Sequence, residues 1–145
     1  MAKYKRIMLK LSGEMLGGGA GAGLDKDAIN AFAAEMIQIA KGGVELAVVV
    51  GGGNILRGAQ NSVGVERATG DYMGMLATVI NAMAVQSAIE QQGHESRVLS
   101  AIEVRQACEF YIRRRAIRHL EKGRIIILSG GTGNPFFTTD TAAAL

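Results

Sequence analysis

Apolar positions along this chain fall into two rhythms. In four places they run on continuously: Ile7-Met8-Leu9 with Leu11, the Val44 to Val50 run broken only by Glu45, Val98-Leu99, and Ile125 to Leu128. Continuous rather than alternating runs predict strands buried on both faces, which is the habit of parallel sheets. Strands are therefore predicted over residues 4–11, 44–50, 97–99 and 125–128. In between, Ile29, Phe32, Ala33, Met36, Ile37 and Ala40 follow i, i+3, i+4, i+7 spacing and predict a helix. Asp25 can cap its start, and Gly42-Gly43 ends it. Residues 55–57 can open a short helix, and the polar stretch 60–70 reads as loop.

From about 72 to 92 the apolar residues go most of the way round: Met73, Met75, Leu76, Val79, Ile80, Met83, Val85 and Ile89. A helix apolar on several sides is either central or shared with a second subunit. Another helix is predicted over 109–121, closed by Gly123. Thr138-Thr139-Asp140 can cap a last one over 141–145. The sequence stops about one turn into it, so the chain is expected to be a fragment of something longer. Strands alternating with helices predict a single α/β domain over residues 1–145, with three α/β/α layers around a mainly parallel sheet.

Three of the predicted strands end in a glycine turn. These are Lys10-Leu11-Ser12-Gly13, Gly51-Gly52-Gly53-Asn54 and Gly130-Gly131-Thr132-Gly133. In a parallel sheet such ends share one edge, where ligands of open α/β sheets bind. Glycines let backbone N–H groups approach an anion closely, so the three turns together suit several phosphates. The segment 129–140 is the richest, with Thr132, Asn134, Thr138 and Thr139 as hydrogen-bonding groups and Pro135 as a stiffener.

Lys10 is either a cation for that cradle or a snorkelling surface lysine. Arg57 is either a bidentate phosphate clamp or a solvated arginine. Asp71 either bonds a ribose or complements a helix dipole, and Asp140 either acts at reacting phosphates or caps its helix.

Composition narrows the classes. Hydrophobic residues make up 48%, enough for a real core, and the 20 glycines are clustered rather than periodic, which excludes a collagen-like chain. A net charge of +3 suits an anionic small molecule without demanding nucleic acid. The cationic run Arg113, Arg114, Arg115 and Arg118 comes with no aromatic or other nucleic-acid-binding motif, so it reads as a solvated helix face or subunit contact rather than a nucleic-acid surface.

Cys108 is the only cysteine, which excludes an internal disulfide, fits a reducing cytosol and reads as buried filler. His94 and His119 lack ligand spacing with it, so no metal site is assigned. No P-loop is present. The loose dinucleotide pattern Gly17-x-Gly19-x-x-Ala22 lies too far past its strand to count. The apolar run after Lys3, Lys5 and Arg6 is too short for a signal peptide or membrane span, so a cytoplasmic location is expected.

Lys-Leu-Ser-Gly-Glu at 10–14, Gly-Gly-Gly-Asn at 51–54, Gly-Asp-Tyr-Met-Gly-Met-Leu-Ala-Thr at 70–78 and Gly-Thr-Gly-Asn-Pro-Phe-Phe-Thr-Thr-Asp at 131–140 occur together in this order. The set resembles the bacterial uridylate (UMP) kinases, a branch of the amino acid kinase family, over essentially the whole chain. The resemblance implies the amino acid kinase fold with its C-terminal portion missing. It also implies the reaction ATP + UMP → ADP + UDP, assisted by Mg²⁺, in pyrimidine nucleotide (CTP and UTP) synthesis.

By that resemblance Lys10, Leu11, Ser12, Gly13, Gly53 and Arg57 hold ATP. Gly52, Asp71, Thr132, Gly133, Asn134, Pro135, Phe136, Phe137, Thr138 and Thr139 hold UMP. Lys10, Arg57 and Asp140 belong to the reacting centre, and no protein ligand is assigned to Mg²⁺. Gly18, Gly19, Ala20, Gly21, Ala22 and Gly23 match a segment tied to activation by GTP, UTP being an inhibitor of many members. The resemblance further implies a hexamer built from dimers. Family members are longer than this chain, and their remaining part binds the adenosine of ATP. The 145 residues are thus expected to carry the UMP half and to be weakly active or inactive alone. Two other classes stay open: a non-catalytic nucleotide-binding module and a basic nucleic-acid binder.

Overall fold

A computed structural model of the chain describes residues 3–56 and 64–133. Among these residues, five parallel strands form one sheet in the order β1-β2-β5-β3-β4. In chain order they are β1 (Arg6–Leu11), β2 (Glu45–Val50), β3 (Ser96–Ser100), β4 (Glu109–Phe110) and β5 (Ile125–Ser129). The helices are α1 (Lys26–Lys41), α2 (Gly53–Leu56), α3 (Arg67–Gln91) and α4 (Arg113–Glu121), and a 3-10 segment, Gly13–Ala20, follows β1. The α/β architecture on a parallel sheet is the one the apolar rhythm predicts.

The sheet sorts side chains by parity. Leu46, Val48 and Val50 of β2 share a face with Ile125 and Ile127 of β5 and with Val98 of β3, and α1 and α3 pack there. Ala47 of β2, Ile126 of β5 and Leu99 of β3 take the other face under Ala116 and Leu120 of α4. α1 forms where expected: Asp25 accepts a hydrogen bond from the Ala28 N–H at 2.9 Å, and Ile29, Ala33, Met36 and Ile37 are its buried stripe.

Three predicted boundaries change. Residues 109–121 are not one helix: Glu109 and Phe110 pair with Leu99 and Ser100 as an edge strand, and the helix starts at Arg113. The Tyr111 N–H donates to the Ser100 carbonyl at 2.8 Å, and the run Phe110-Tyr111-Ile112 prefers extended backbone. The long helix starts at Arg67, five residues before the predicted 72. Gly70, read as loop punctuation, is buried inside it and donates its N–H to the Glu66 carbonyl at 2.9 Å. The short helix starts at Gly53, two residues before the predicted 55, and Arg57 lies outside the described residues. The predicted helix over 141–145 lies outside the described residues.

α3 is long and apolar enough to cross a membrane by length and composition, with a mean hydropathy of 1.3, yet half of that stretch is buried within the fold. Its buried residues Ala82, Val85, Ala88 and Ile89 join the core on the sheet. Tyr72, Leu76, Ile80 and Met83 lie exposed along the opposite side.

Candidate nucleotide site

The three glycine turns lie side by side, as expected, because β1, β2 and β5 are consecutive in the sheet. They touch. A Cβ on Gly13 would stand 2.5 Å from the Gly51 carbonyl oxygen and 2.7 Å from Asn54 Oδ1, so no larger residue fits there. The Gly51 N–H donates to the Leu11 carbonyl at 3.0 Å, carrying the β1–β2 ladder into the turns.

Beneath the turns lies a buried polar network. Asn54 and Asn81 face each other amide to amide: Asn54 Nδ2 donates to Asn81 Oδ1 at 3.0 Å, and Asn81 Nδ2 donates to Asn54 Oδ1 at 2.7 Å. Each amide spends its second N–H on a backbone carbonyl, Asn54 on Gly23 at 2.8 Å and Asn81 on Gly51 at 2.6 Å. One helical turn earlier, Thr78 Oγ1 donates to the Met75 carbonyl at 2.6 Å and accepts from the Gly130 N–H at 2.8 Å.

On the α4 side of the same edge is a cavity of about 300 Å³. Val49, Leu99 and Leu128 of the sheet floor it, and Tyr111, Ser129 and Thr132 also line it. Lys10 is exposed and aligned with Val49, so it sits one strand over from the cavity floor and on the same face. A larger depression of about 700 Å³ lies away from the glycine turns, beside β3 and the loop before β4. Its wall mixes Arg97, Arg105 and Arg115 with Glu103 and Glu109. The cavity at the turns is the better candidate for the predicted chemistry, because Gly131 and Thr132 of the β5 turn line it and Lys10 lies on the same face of the sheet.

Among the described residues, the structure brings the expected ones to one edge of the sheet. Ser12, Gly13, Gly52, Gly53, Thr132 and Gly133 belong to adjacent turns, with Leu11 and Lys10 ending β1. Gly52 packs on α3, where a Cβ would lie 2.8 Å from Ala77 Cβ and 3.2 Å from the Gly74 carbonyl oxygen. Asp71, Gly74 and Thr78 recur at i, i+3 and i+7, so half-buried Asp71 shares the helix face that meets Gly52.

Gly18 to Gly23 is stitched to the β2 turn: besides the Asn54 amide bond, the Gly23 N–H donates to the Asn54 carbonyl at 2.8 Å. Arg57, Asn134, Pro135, Phe136, Phe137, Thr138, Thr139 and Asp140 lie outside the described residues. Among the described residues, no group of three or more His, Cys, Asp or Glu side chains is placed to hold a metal ion.

The arginines of α4 are exposed, as a solvated face should be. Cys108 is only partly buried, and that burial pushes its thiol above the usual range, with Glu109 adding to the effect. Away from the turns, a hydrogen bond from Arg124 at 2.9 Å holds the Glu95 carboxyl below the usual range.

The sequence pattern of the amino acid kinase family matches residues 5–145. The chain belongs to the amino acid kinase family. Among members of known name it is similar to the uridylate kinase of Methylococcus capsulatus, with 59% identity over 143 residues, covering 98% of this chain and 60% of that protein. It is also similar to the uridylate kinase of Anaplasma phagocytophilum, with 57% identity covering 99% of this chain and 59% of that protein.

Among solved structures, the UMP kinase from Bacillus anthracis superposes with a TM-score of 0.90 at 37% identity, over 97% of this chain and 58% of that one. The UMP kinase from Ureaplasma parvum gives 0.90 at 35% identity, over 97% and 62%. This amino acid kinase domain thus spans about 60% of the length of the relatives it matches.

Asn81 is a site-supporting residue outside the motifs, and Thr78, which ends the 70–78 motif, has no role assigned by it. Their signal is a polar pair at i, i+3 on a helix face otherwise made of Met75, Val79, Ala82 and Val85.

Proposed function

We propose that this chain is the nucleotide-acceptor part of a uridylate kinase, a single domain that binds UMP and presents it for ATP + UMP → ADP + UDP in pyrimidine nucleotide synthesis. The observation that carries the proposal is the adjacency of β1, β2 and β5, which sets three glycine turns and Lys10 on one edge. The 57–59% identity to proteins named uridylate kinase supports the choice of UMP.

In the proposed reaction a UMP phosphate oxygen bonds to the γ-phosphorus of ATP as the bond from that phosphorus to the β-phosphate oxygen breaks. Such a transfer needs in-line positioning and positive charge where negative charge spreads, and no protein nucleophile. Lys10, with Arg57, supplies mobile positive charge. The turn amides of Ser12, Gly13 and Gly53 cradle ATP phosphates. Gly52, Asp71 and residues 132–139 hold UMP, and Asp140 serves the reacting centre. Mg²⁺ neutralises phosphate charge when bound. It is proposed to arrive with ATP, and no protein ligand is assigned to it.

The Gly18–Gly23 segment is proposed to respond to GTP and UTP, through backbone contacts because its side chains are so small. The exposed stripe Tyr72, Leu76, Ile80 and Met83 of α3 is proposed to pair with a second copy on the way to a hexamer in the cytoplasm. Sedimentation tests that pairing: a monomer at every concentration contradicts it.

A chain spanning about 60% of its relatives is proposed to bind UMP and to turn over weakly or not at all. Isothermal titration with UMP and with ATP, beside a coupled ADP-release assay, tests the reading. Saturable UMP binding supports it. Absence of UMP binding contradicts it, and robust turnover contradicts the weak-activity part.

A further inference from the structure

We infer that Thr78, Asn81 and Asn54 are positioning residues that set the direction of the phosphate-facing amides; the inference rests on the nucleotide-binding reading above. All three are buried, Asn81 completely and Thr78 and Asn54 at 4% and 6% exposure. They therefore cannot contact a phosphate at the sheet edge. Burying a carboxamide or hydroxyl is unfavourable unless its hydrogen bonds are made. Here every amide N–H of the Asn54–Asn81 pair is spent, two on each other and two on the carbonyls of Gly23 and Gly51. The orientation is fixed as well. Turning either amide over would set its oxygen against a backbone carbonyl oxygen, Gly51's for Asn81 or Gly23's for Asn54.

The consequence runs through the peptide plane. In a trans peptide the carbonyl of one residue and the N–H of the next point in opposite directions. Asn81 pulls the Gly51 carbonyl inward toward α3 at 2.6 Å, which turns the Gly52 N–H outward, away from the helix. Thr78 acts on the β5 turn from the other direction, accepting the Gly130 N–H at 2.8 Å where the turn begins. Its own hydroxyl proton is committed to the Met75 carbonyl, so the oxygen lone pair stays aimed at Gly130. Gly13 joins through contact, lying against the Gly51 carbonyl and the Asn54 amide. One stretch of α3 thus fixes turns that come from three separate strands. An apolar residue at 78 or 81 would fill the core equally well but would leave these backbone groups to reorient.

The test uses the full 145-residue chain, well below its melting temperature, with UMP as the probe. Thr78→Val keeps the shape and removes the hydroxyl, whereas Thr78→Ser keeps the hydroxyl. UMP affinity is expected to fall about tenfold in Thr78→Val and to return to within about twofold of wild type in Thr78→Ser, the cost of one buried, charge-serving hydrogen bond. The Gly130 amide resonance should shift in Thr78→Val only. Asn81→Ala should shift the Gly52 amide resonance and weaken UMP binding similarly. Should that variant not fold, the Thr78 pair decides alone. Wild-type affinity in folded Thr78→Val, or failure of Thr78→Ser to restore it, overturns the inference. If the wild-type chain binds no UMP, the nucleotide reading falls and this inference falls with it.

Discussion

Among the described residues, the two faces of the sheet are covered unequally. On one, α1 and α3 join the strands in a cluster of fifteen buried residues that runs from Leu16 to Ile127. On the other, among the described residues, the nine residues of α4 close over a smaller cluster of Ala47, Leu99 and Ile126 with Ala116 and Leu120, against which Leu128 packs. Met8 is left exposed there, and the apolar cavity opens beside it. The difference separates two jobs. The thick face holds the glycine turns still through Thr78, Asn81 and Asn54. The thin face, with Lys10 and the cavity, stays open to a ligand. A thick cover on both faces would bury the edge that the turns build.

The largest expected effect tests that inequality on neighbouring residues of one strand. Ile127 points into the thick face and Ile126 into the thin one, and both are almost completely buried. Truncating a buried isoleucine to alanine costs about 2–5 kcal/mol, depending on how well the site collapses. Ile127→Ala should fall near the top of that range and Ile126→Ala near the bottom, as read by urea unfolding. Equal losses would break the distinction between the faces.

Lys10→Ala sharpens the functional side. As an exposed side chain, Lys10 should cost within about 0.5 kcal/mol of stability when removed. ATP or phosphate affinity should nevertheless fall about tenfold, the scale of one lost charge-assisted contact. Calorimetry beside thermal unfolding separates the two; a stability loss with no loss of affinity would make Lys10 structural. On the thick side, Asp25→Ala removes the cap of α1 and should cost about 1 kcal/mol in thermal unfolding, with the fold unchanged.

The smallest effect is at Glu95. Its folded carboxyl is held below the usual 4.5 by Arg124, so the pair stabilises the fold above that value. The contribution is lost as pH falls from 4.5 through the folded value. Glu95→Gln should therefore flatten the acid limb of a melting-temperature profile slightly and leave neutral pH nearly untouched. An unchanged acid limb would mean that this exposed pair contributes nothing.

Much of this arrangement is legible in the sequence. Continuous runs at 44–50 and 125–128 announce buried parallel strands, and Asp25 with the Ile29 to Ala40 spacing announces α1. The glycine turns are visible as strand endings, and a parallel sheet requires them to share an edge. The insertion of β5 between β2 and β3 is not legible, because strand order is decided by how the whole set of helices packs. β4 is missed because two residues carry no periodicity. The early start of α3 is missed because a buried glycine and a loop glycine look alike in sequence. Asn81 and Thr78 escape for a related reason. Their partners are the backbone carbonyl of Gly51 and the backbone amide of Gly130, which no side-chain motif records.

The central claim is that nucleotide phosphate binds at the turns after β1, β2 and β5. Titrating the isotope-labelled chain with UMP and following its backbone amides by NMR tests it most directly. Saturable shifts concentrated at Gly52, Gly53 and Gly131 to Gly133, with α4 unmoved, are the predicted result. No saturable shifts, or shifts centred on Arg97, Arg105 and Arg115, would contradict it.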